Sequence, residues 1–439
     1  MSNRQGAWSR AKALASNTPD SRNRYVDLLR AVSICAVILG HWLVAAPFVN
    51  EGRLNLAGNL LQSRPWTQWL TWLFQVMPVF FLVGGYSNGI SWRSATRAAV
   101  SYRGWLYGRL QRLIGPVLPL IFVWSVLALA AVPLGISNEL FEVGSQIALV
   151  PVWFLAVYIG TVVLVPLTAT AWQRYGLWSF AVLFIGVVVN DVLFLKGITA
   201  VGWLNYAFLW LAVHQLGYAW LDGRFSRHGK SLLIGSAALL LLLMVVWLFP
   251  YPLSMVSVPG DDISNSLPPK LPMLLLGLAQ IGVLLALEKP ARRWLCNLKP
   301  WATTVLVNGM IMTLFLWHLT ATTLIISIAV ALGDLGLAHE PGSADWWILR
   351  PVWLLLYVLL LMVLVTLFLR LERTGRAEPT SVFRQVAGAV VVCAGLSLLA
   401  LNGIGGNAHP AQVLLAISLP FIGAAVAGIK LMPNLDGQA

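Results

Sequence analysis

The sequence predicts an all-α, polytopic transmembrane helix bundle, and three observations carry that prediction. Hydrophobic residues make up 59% of the 439-residue chain and charged residues 10%, with a mean hydropathy of +0.79, far outside the range of water-soluble domains. Apolar stretches of about 20 residues, each long enough to cross a hydrocarbon core of about 30 Å, recur along the whole chain. Basic residues collect on alternate connections between them. Lipid offers no partner for a free backbone amide, so each stretch is read as a helix.

Twelve segments meet this test in order. Segment 27–47 follows a polar, basic stretch, and 66–92 carries Pro78 with Gly84 and Gly85. Segment 113–134 is almost uniformly aliphatic, and 147–170, 177–195 and 200–220 are punctuated by Arg174 and Lys196. Leucine-rich 231–250 begins after Lys230, and 271–287 after Lys270. Segment 303–331 is the longest and holds His318, while 347–369 stops at Arg370. The last two, 385–401 and 411–429, flank Asn402 to Asn407, which is too polar to span. The expected domains are a mobile basic cytoplasmic tail at 1–24, a ten-helix membrane domain at 25–370 and an accessory C-terminal helix pair at 371–439. Between the second and third spans, Trp92 to Arg112 interleaves arginines with Tyr102, Trp105, Tyr107 and Leu110, a pattern suited to an amphipathic helix at the inner interface.

A formal net charge of +13 would suggest nucleic-acid binding in a soluble protein. Here the distribution argues otherwise. With the N-terminus cytoplasmic, 24 of the 29 basic residues fall on the inner side, and only Arg53, Arg64, Lys196, Lys270 and Arg350 lie outside. Acids show the opposite bias, with Glu51, Glu139, Glu142, Asp261, Asp262, Asp334, Glu340 and Asp345 outside. Both termini are therefore expected in the cytoplasm, with no nucleic-acid partner. A cleaved signal peptide is not expected, because a polar stretch of about 26 residues precedes the first span. Cys35, Cys296 and Cys393 are too few and too scattered for a disulfide framework or a cysteine metal site.

Ionisable residues inside apolar segments cost roughly 2.5–3.5 kcal/mol each even on insertion-based scales, which marks them as functional candidates. Arg30 and His41 share the first span. Eleven steps of about 100° bring them to one helix face, roughly 16 Å apart along the axis. Asp27 lies one turn before Arg30 and would pair with it. His41 is the natural general base, though a polar helix contact would also explain it. Gly84 and Gly85 permit either ligand space or close helix packing. Arg103, Arg109 and Arg112 suit a phosphate-bearing ligand or anionic lipid. His318 is expected at the same depth as His41, and no third residue of suitable spacing suggests a metal. Asn190 and Asp191 read as a substrate contact or a helix cap, and His214 as a weaker candidate.

Together these residues resemble the motifs of the acyltransferase-three family of integral-membrane O-acyltransferases. Its opening helix pairs Asp-x-x-Arg with a histidine eleven residues beyond the arginine, ten residues intervening, as at Asp27, Arg30 and His41. Its Phe-Phe-x-x-Ser-Gly pattern is similar to Phe80-Phe81-Leu82-Val83-Gly84-Gly85, with Gly84 replacing serine. Its Arg-x-x-Arg pattern matches Arg109 and Arg112. Its Trp-x-Leu-x-x-Glu element resembles Trp153 to Tyr158, with tyrosine where glutamate is frequent, and its Tyr-Leu-x-His element resembles Phe315 to His318. The resemblance runs over about 24–370 with the motifs in family order. It implies a bacterial inner-membrane enzyme with no permanently bound cofactor. That enzyme would move an acyl group, expected to be acetyl, from cytoplasmic acyl-CoA to a hydroxyl of an envelope glycolipid or carbohydrate. The implied catalytic residues are His41 and His318, with Arg30, Arg109 and Arg112 on acyl-CoA and Asp27, Phe80, Phe81, Trp153 and Tyr158 in support. His41 would act as base or as a transient acyl carrier, and His318 or Tyr158 would donate to the oxyanion. The competing class is a glycolipid or solute transporter, for which inverted repeats with broken helices would speak.

Overall fold

The computed structural model describes residues 6–19, 22–50, 53–56, 58–131, 133, 135, 138–225, 228–372, 378–404 and 410–429. The chain is 78% helical, and the strands among the described residues are the short hairpin Phe48–Asn50 and Arg53–Asn55. Among those residues, ten helical runs are long and apolar enough to cross a membrane. The bent pair Leu271–Ala286 and Glu288–Trp294 would make an eleventh. The expected twelfth, at 200–220, is the shorter helix Asn205–Leu221, in which 12 of 17 residues are buried. It is apolar because it is encased by protein, a condition composition alone does not separate from lipid exposure. The expected segment 303–331 is interrupted at Gly309 and Met310, giving Leu298–Asn308 and Ile311–Ala331.

A second correction concerns Trp92 to Arg112. Helix Tyr102–Ile114 starts on Ser101, whose hydroxyl accepts from Gly104 N. It belongs to a single spanning run, Tyr102–Ala131. Trp105, Leu106, Tyr107 and Leu110 are buried in protein, so its apolar face is a packing face and not an interfacial one.

The chain divides into two compact units. The first comprises Met1–Gly40, Trp66–Ser91 and Leu167–Ile311. Its N-terminal stretch is not the mobile tail expected. Helix Ala7–Ser16 packs Ala15 on Leu295, Trp301 and Ala302, and Trp301 Nε1 donates to Thr18 Oγ1 at 3.1 Å. Helices Met77–Arg97 and Asn205–Leu221 meet backbone to backbone: a Cβ on Gly217 would lie 2.3 Å from Leu82 O, and one on Gly85 1.9 Å from His214 O. Gly85 is thereby explained by close helix approach. Asp191 accepts from Asn205 Nδ2 at 2.8 Å, Tyr251 Oη at 3.0 Å and Leu271 N at 2.6 Å, so it joins three elements inside the protein. Beside it Lys270 is buried, donating to Pro268 O and lying 3.8 Å from the Phe194 ring centre. Burial pushes its ammonium down to about 8, and the Asp191 charge opposes that only in part.

The second unit comprises His41–Pro65, Trp92–Pro166 and Met312–Ala439. The C-terminal pair, Val382–Asn402 and Pro410–Ala427, crosses at two glycines: a Cβ on Gly388 would sit 2.4 Å from Gly423 O. The pair expected as an accessory unit is tied throughout to this one. Gln385 Nε2 donates to Arg103 O at 3.1 Å, Ser145 Oγ to Ile404 O at 2.9 Å, and Cys393 Sγ to Ala156 O at 3.2 Å. Its N-terminal approach at 373–377 and hairpin residues 405–409, including Asn407 and His409, lie outside the described residues.

Candidate active site

His41 ends the first spanning helix, Arg24–Val44, and His318 sits in the second turn of Ile311–Ala331. Within the second unit, His41 Nδ1 and His318 Nε2 are 2.8 Å apart. The ring planes differ by 4° and their centres are 5.1 Å apart. An N–N separation this short excludes face-to-face stacking, in which ring atoms stay about 3.5 Å apart. The imidazoles therefore lie edge to edge in one plane, joined by an in-plane hydrogen bond.

The partners of that pair set its protons. His318 Nδ1 lies 2.7 Å from Phe315 O. A carbonyl only accepts, so this nitrogen carries the hydrogen and, in the neutral ring, Nε2 of His318 is a lone pair. His41 must then donate through Nδ1, which leaves its Nε2 as a free lone pair. His41 is half-buried and His318 fully buried, so the accessible ring presents the basic nitrogen. With both its nitrogens used, His318 has no N–H to offer an oxyanion, which corrects that expectation for it. The His318 carbonyl also accepts from Trp42 Nε1 at 3.2 Å and Thr322 Oγ1 at 3.1 Å, which fixes this turn of helix.

At the other end of the first spanning helix, in the first unit, Asp27 is buried and pairs with Arg30 at 3.3 Å and with Arg22 at 2.7 Å. Arg30 also donates to Ser87 Oγ. Asn308 Nδ2 donates to Asp27 O at 2.8 Å, so a later helix holds this turn as well. The Asp27 and Arg30 pairing expected from their spacing is present. One buried carboxylate between two guanidiniums leaves the group cationic on balance, an arrangement that suits a bound anion.

The remaining candidates are distributed as follows. Arg109 and Arg112 are one turn apart in the second unit; Arg109 lies 5.5 Å from the Trp105 ring centre, and exposed Arg112 donates to Gly108 O at 3.0 Å. Arg103 is spent on Pro379 O and Thr380 O. Phe81 is buried in the first unit, stacked on Trp210 at 4.5 Å, and Phe80 beside it is half-buried. In helix Val152–Val163, Trp153 precedes Phe154, whose ring meets Tyr158 at 5.6 Å and Phe315 at 5.5 Å. This helix supports the residue whose carbonyl orients His318. His214 is fully buried, with Nε2 3.1 Å from Asn88 Nδ2. Among the described residues no group of three or more His, Cys, Asp or Glu side chains converges as a metal site.

Sequence reasoning missed Trp42, Thr322, Ser87 and Asn308. Only Trp42 carried a signal, as the immediate neighbour of His41; the others act from distant elements through small polar groups common in any helix.

No curated protein and no solved structure matches the chain. A family model described as an acyltransferase domain, Acyl_transf_3, matches residues 23–371, which include both histidines and all the candidate arginines. The chain therefore belongs to the acyltransferase-three family and is a multi-pass membrane enzyme that transfers acyl groups other than aminoacyl groups.

Proposed function

We propose that this acyltransferase moves an acetyl group from cytoplasmic acetyl-CoA to a hydroxyl of an envelope glycolipid or carbohydrate, with His41 as general base. The observation that carries the reading is the His41–His318 hydrogen bond, whose proton order leaves His41 Nε2 as an accessible lone pair. His41 Nε2 takes the acceptor's hydroxyl proton as that oxygen attacks the thioester carbonyl. The carbon–sulfur bond then breaks, the departing thiolate recovers the proton from the imidazolium, and ester and free CoA leave. Throughout, His41 Nδ1–H stays on His318 Nε2, which supports the imidazolium as it forms.

The orientation rests on charge. Arg30 would face the cytoplasm and His41 would lie deeper on the same continuous helix, a separation of roughly 16 Å from helix rise alone. A nucleotide phosphate at Arg30 would leave the pantetheine arm to cover that distance. The expected setting is a bacterial inner membrane with both termini cytoplasmic. Purified protein given radiolabelled acetyl-CoA and an envelope lipid extract should label a lipid or glycan, and the His41→Ala variant should not. Absence of label from every lipid and glycan fraction would overturn the proposed donor and acceptor.

A further inference from the structure

A second ionisable group lies close to the histidine pair and takes no part in the mechanism above. Arg350, in helix Ala344–Phe368, is 4% exposed. Its Nη2 donates to Ala45 O at 2.9 Å, one helical turn beyond His41, whose carbonyl accepts from Ala45 N. Its guanidinium lies 4.5 Å from the Trp346 ring centre and 6.0 Å from that of Tyr357. Tyr357 in turn packs on Trp42, the residue whose indole holds the His318 carbonyl. All of these belong to the second unit.

The surroundings do not account for the charge. Among the described residues no carboxylate pairs with Arg350, and its Nε is buried without any hydrogen-bond partner. The Ala45 carbonyl, at the end of the first spanning helix, and the Tyr357 hydroxyl account for two of the five N–H groups a guanidinium offers, and Nε–H is left over. Stripping a cation of water with neither counter-ion nor full hydrogen bonding is unfavourable, so natural proteins keep such groups where an anion completes them. The planar fork and flanking aromatic faces suit a two-oxygen anion, a carboxylate or a phosphate.

We propose that Arg350 is an acceptor-recognition residue: it binds an acidic group, carboxylate or phosphate, of the molecule whose hydroxyl His41 deprotonates. This rests on the acyl-transfer reading for the acceptor's identity, but the anion site itself stands on geometry alone. Under the proposed orientation Arg350 lies on the non-cytoplasmic side of His41, opposite the end that would take the nucleotide. The acceptor class is thereby narrowed from any hydroxyl compound to an acidic glycan or phosphorylated glycolipid.

Two measurements on the full-length protein in nanodiscs test the proposal. In the first, thermal unfolding is followed with glucuronate, inorganic phosphate or neutral glucose added. Ligand that binds only the folded state raises the midpoint. Stabilisation by glucuronate or phosphate but not by glucose, weakened about tenfold in apparent affinity in Arg350→Lys and lost in Arg350→Gln, is the expected result. Glucuronate against phosphate identifies the acidic group. No stabilisation by either anion, or equal stabilisation of both variants, overturns the proposal. In the second, envelope extract separated into neutral and anionic fractions is supplied with radiolabelled acetyl-CoA. Label should enter the anionic fraction, and Arg350→Gln should reduce transfer about thirtyfold or more. Label confined to the neutral fraction overturns the proposal. Arg350-dependent anion binding with no labelled acceptor in any fraction would instead sink the proposed transfer from acetyl-CoA to an envelope glycan and leave the anion site standing.

Discussion

The histidine pair shows how a single proton assignment becomes a mechanism. Phe315 O orders His318, His318 orders His41, and the unused nitrogen of His41 is the one that meets substrate. His41→Ala should lower acyl transfer by about 10³-fold or more, because the general base is removed outright. His318→Ala should cost about 100-fold in kcat, equivalent to ~2.7 kcal/mol, with little change in the KM for donor. His318→Gln should recover part of that loss, since its carbonyl oxygen can still accept from His41 Nδ1. Equal kcat for the Ala and Gln variants would remove the orienting role from His318. Lys270 carries a different prediction, about stability. Its folded value near 8 lies below the ordinary lysine value, so between the two the unfolded chain binds more protons and stability rises with pH. The unfolding midpoint of wild type relative to Lys270→Met should therefore improve from pH 7 to pH 10; a flat difference would show that Lys270 is not held against its charge.

At the scale of elements, close helix contacts govern what each site helix can do. Met77–Arg97 places Ser87 on Arg30 and is itself seated against Asn205–Leu221 through Gly85 and Gly217. Gly217→Val would drive a side chain into the Leu82 carbonyl, and overpacking of this kind costs typically 1–3 kcal/mol or more. A lowered unfolding midpoint in detergent, with donor KM raised because Arg30 loses its support, is the expected outcome; wild-type values would show that the two helices have room to part. The first spanning helix was legible to within three residues at each end, 27–47 against Arg24–Val44, and the Asp27 and Arg30 pair was legible because spacing within one helix is fixed by its pitch. The break at Gly309 and Met310 was not, because both flanking halves are apolar and no proline marks the interruption.

For the whole molecule, the family match ends at residue 371, yet the C-terminal pair is built into the second unit, bonded to the segments that carry Arg103, Ser145 and Ala156. Gly423→Leu would separate the pair. Loss of folded yield and of acyl transfer together is expected, whereas normal activity would make the pair a true appendage. Orientation is checked by single cysteines in a cysteine-free background: Ser264→Cys should react with an impermeant maleimide from outside intact cells, and Ser16→Cys only after lysis. Labelling of Ser16→Cys in intact cells would invert the topology.

Composition and the recurrence of apolar stretches were enough to establish an all-α membrane bundle, since burial of a backbone in lipid leaves few alternatives. The motif residues were legible for the same local reason: each is a costly charge or imidazole in an apolar helix. Tertiary structure alone decided what those residues meet. It brought His318 into the plane of His41 across 277 positions of sequence, folded the basic N-terminal stretch onto Trp301, and buried the Arg350 guanidinium near the pair with its Nε unpartnered. Hydrogen-bond order and desolvation depend on neighbours remote in the chain, and hydrophobic periodicity does not encode them.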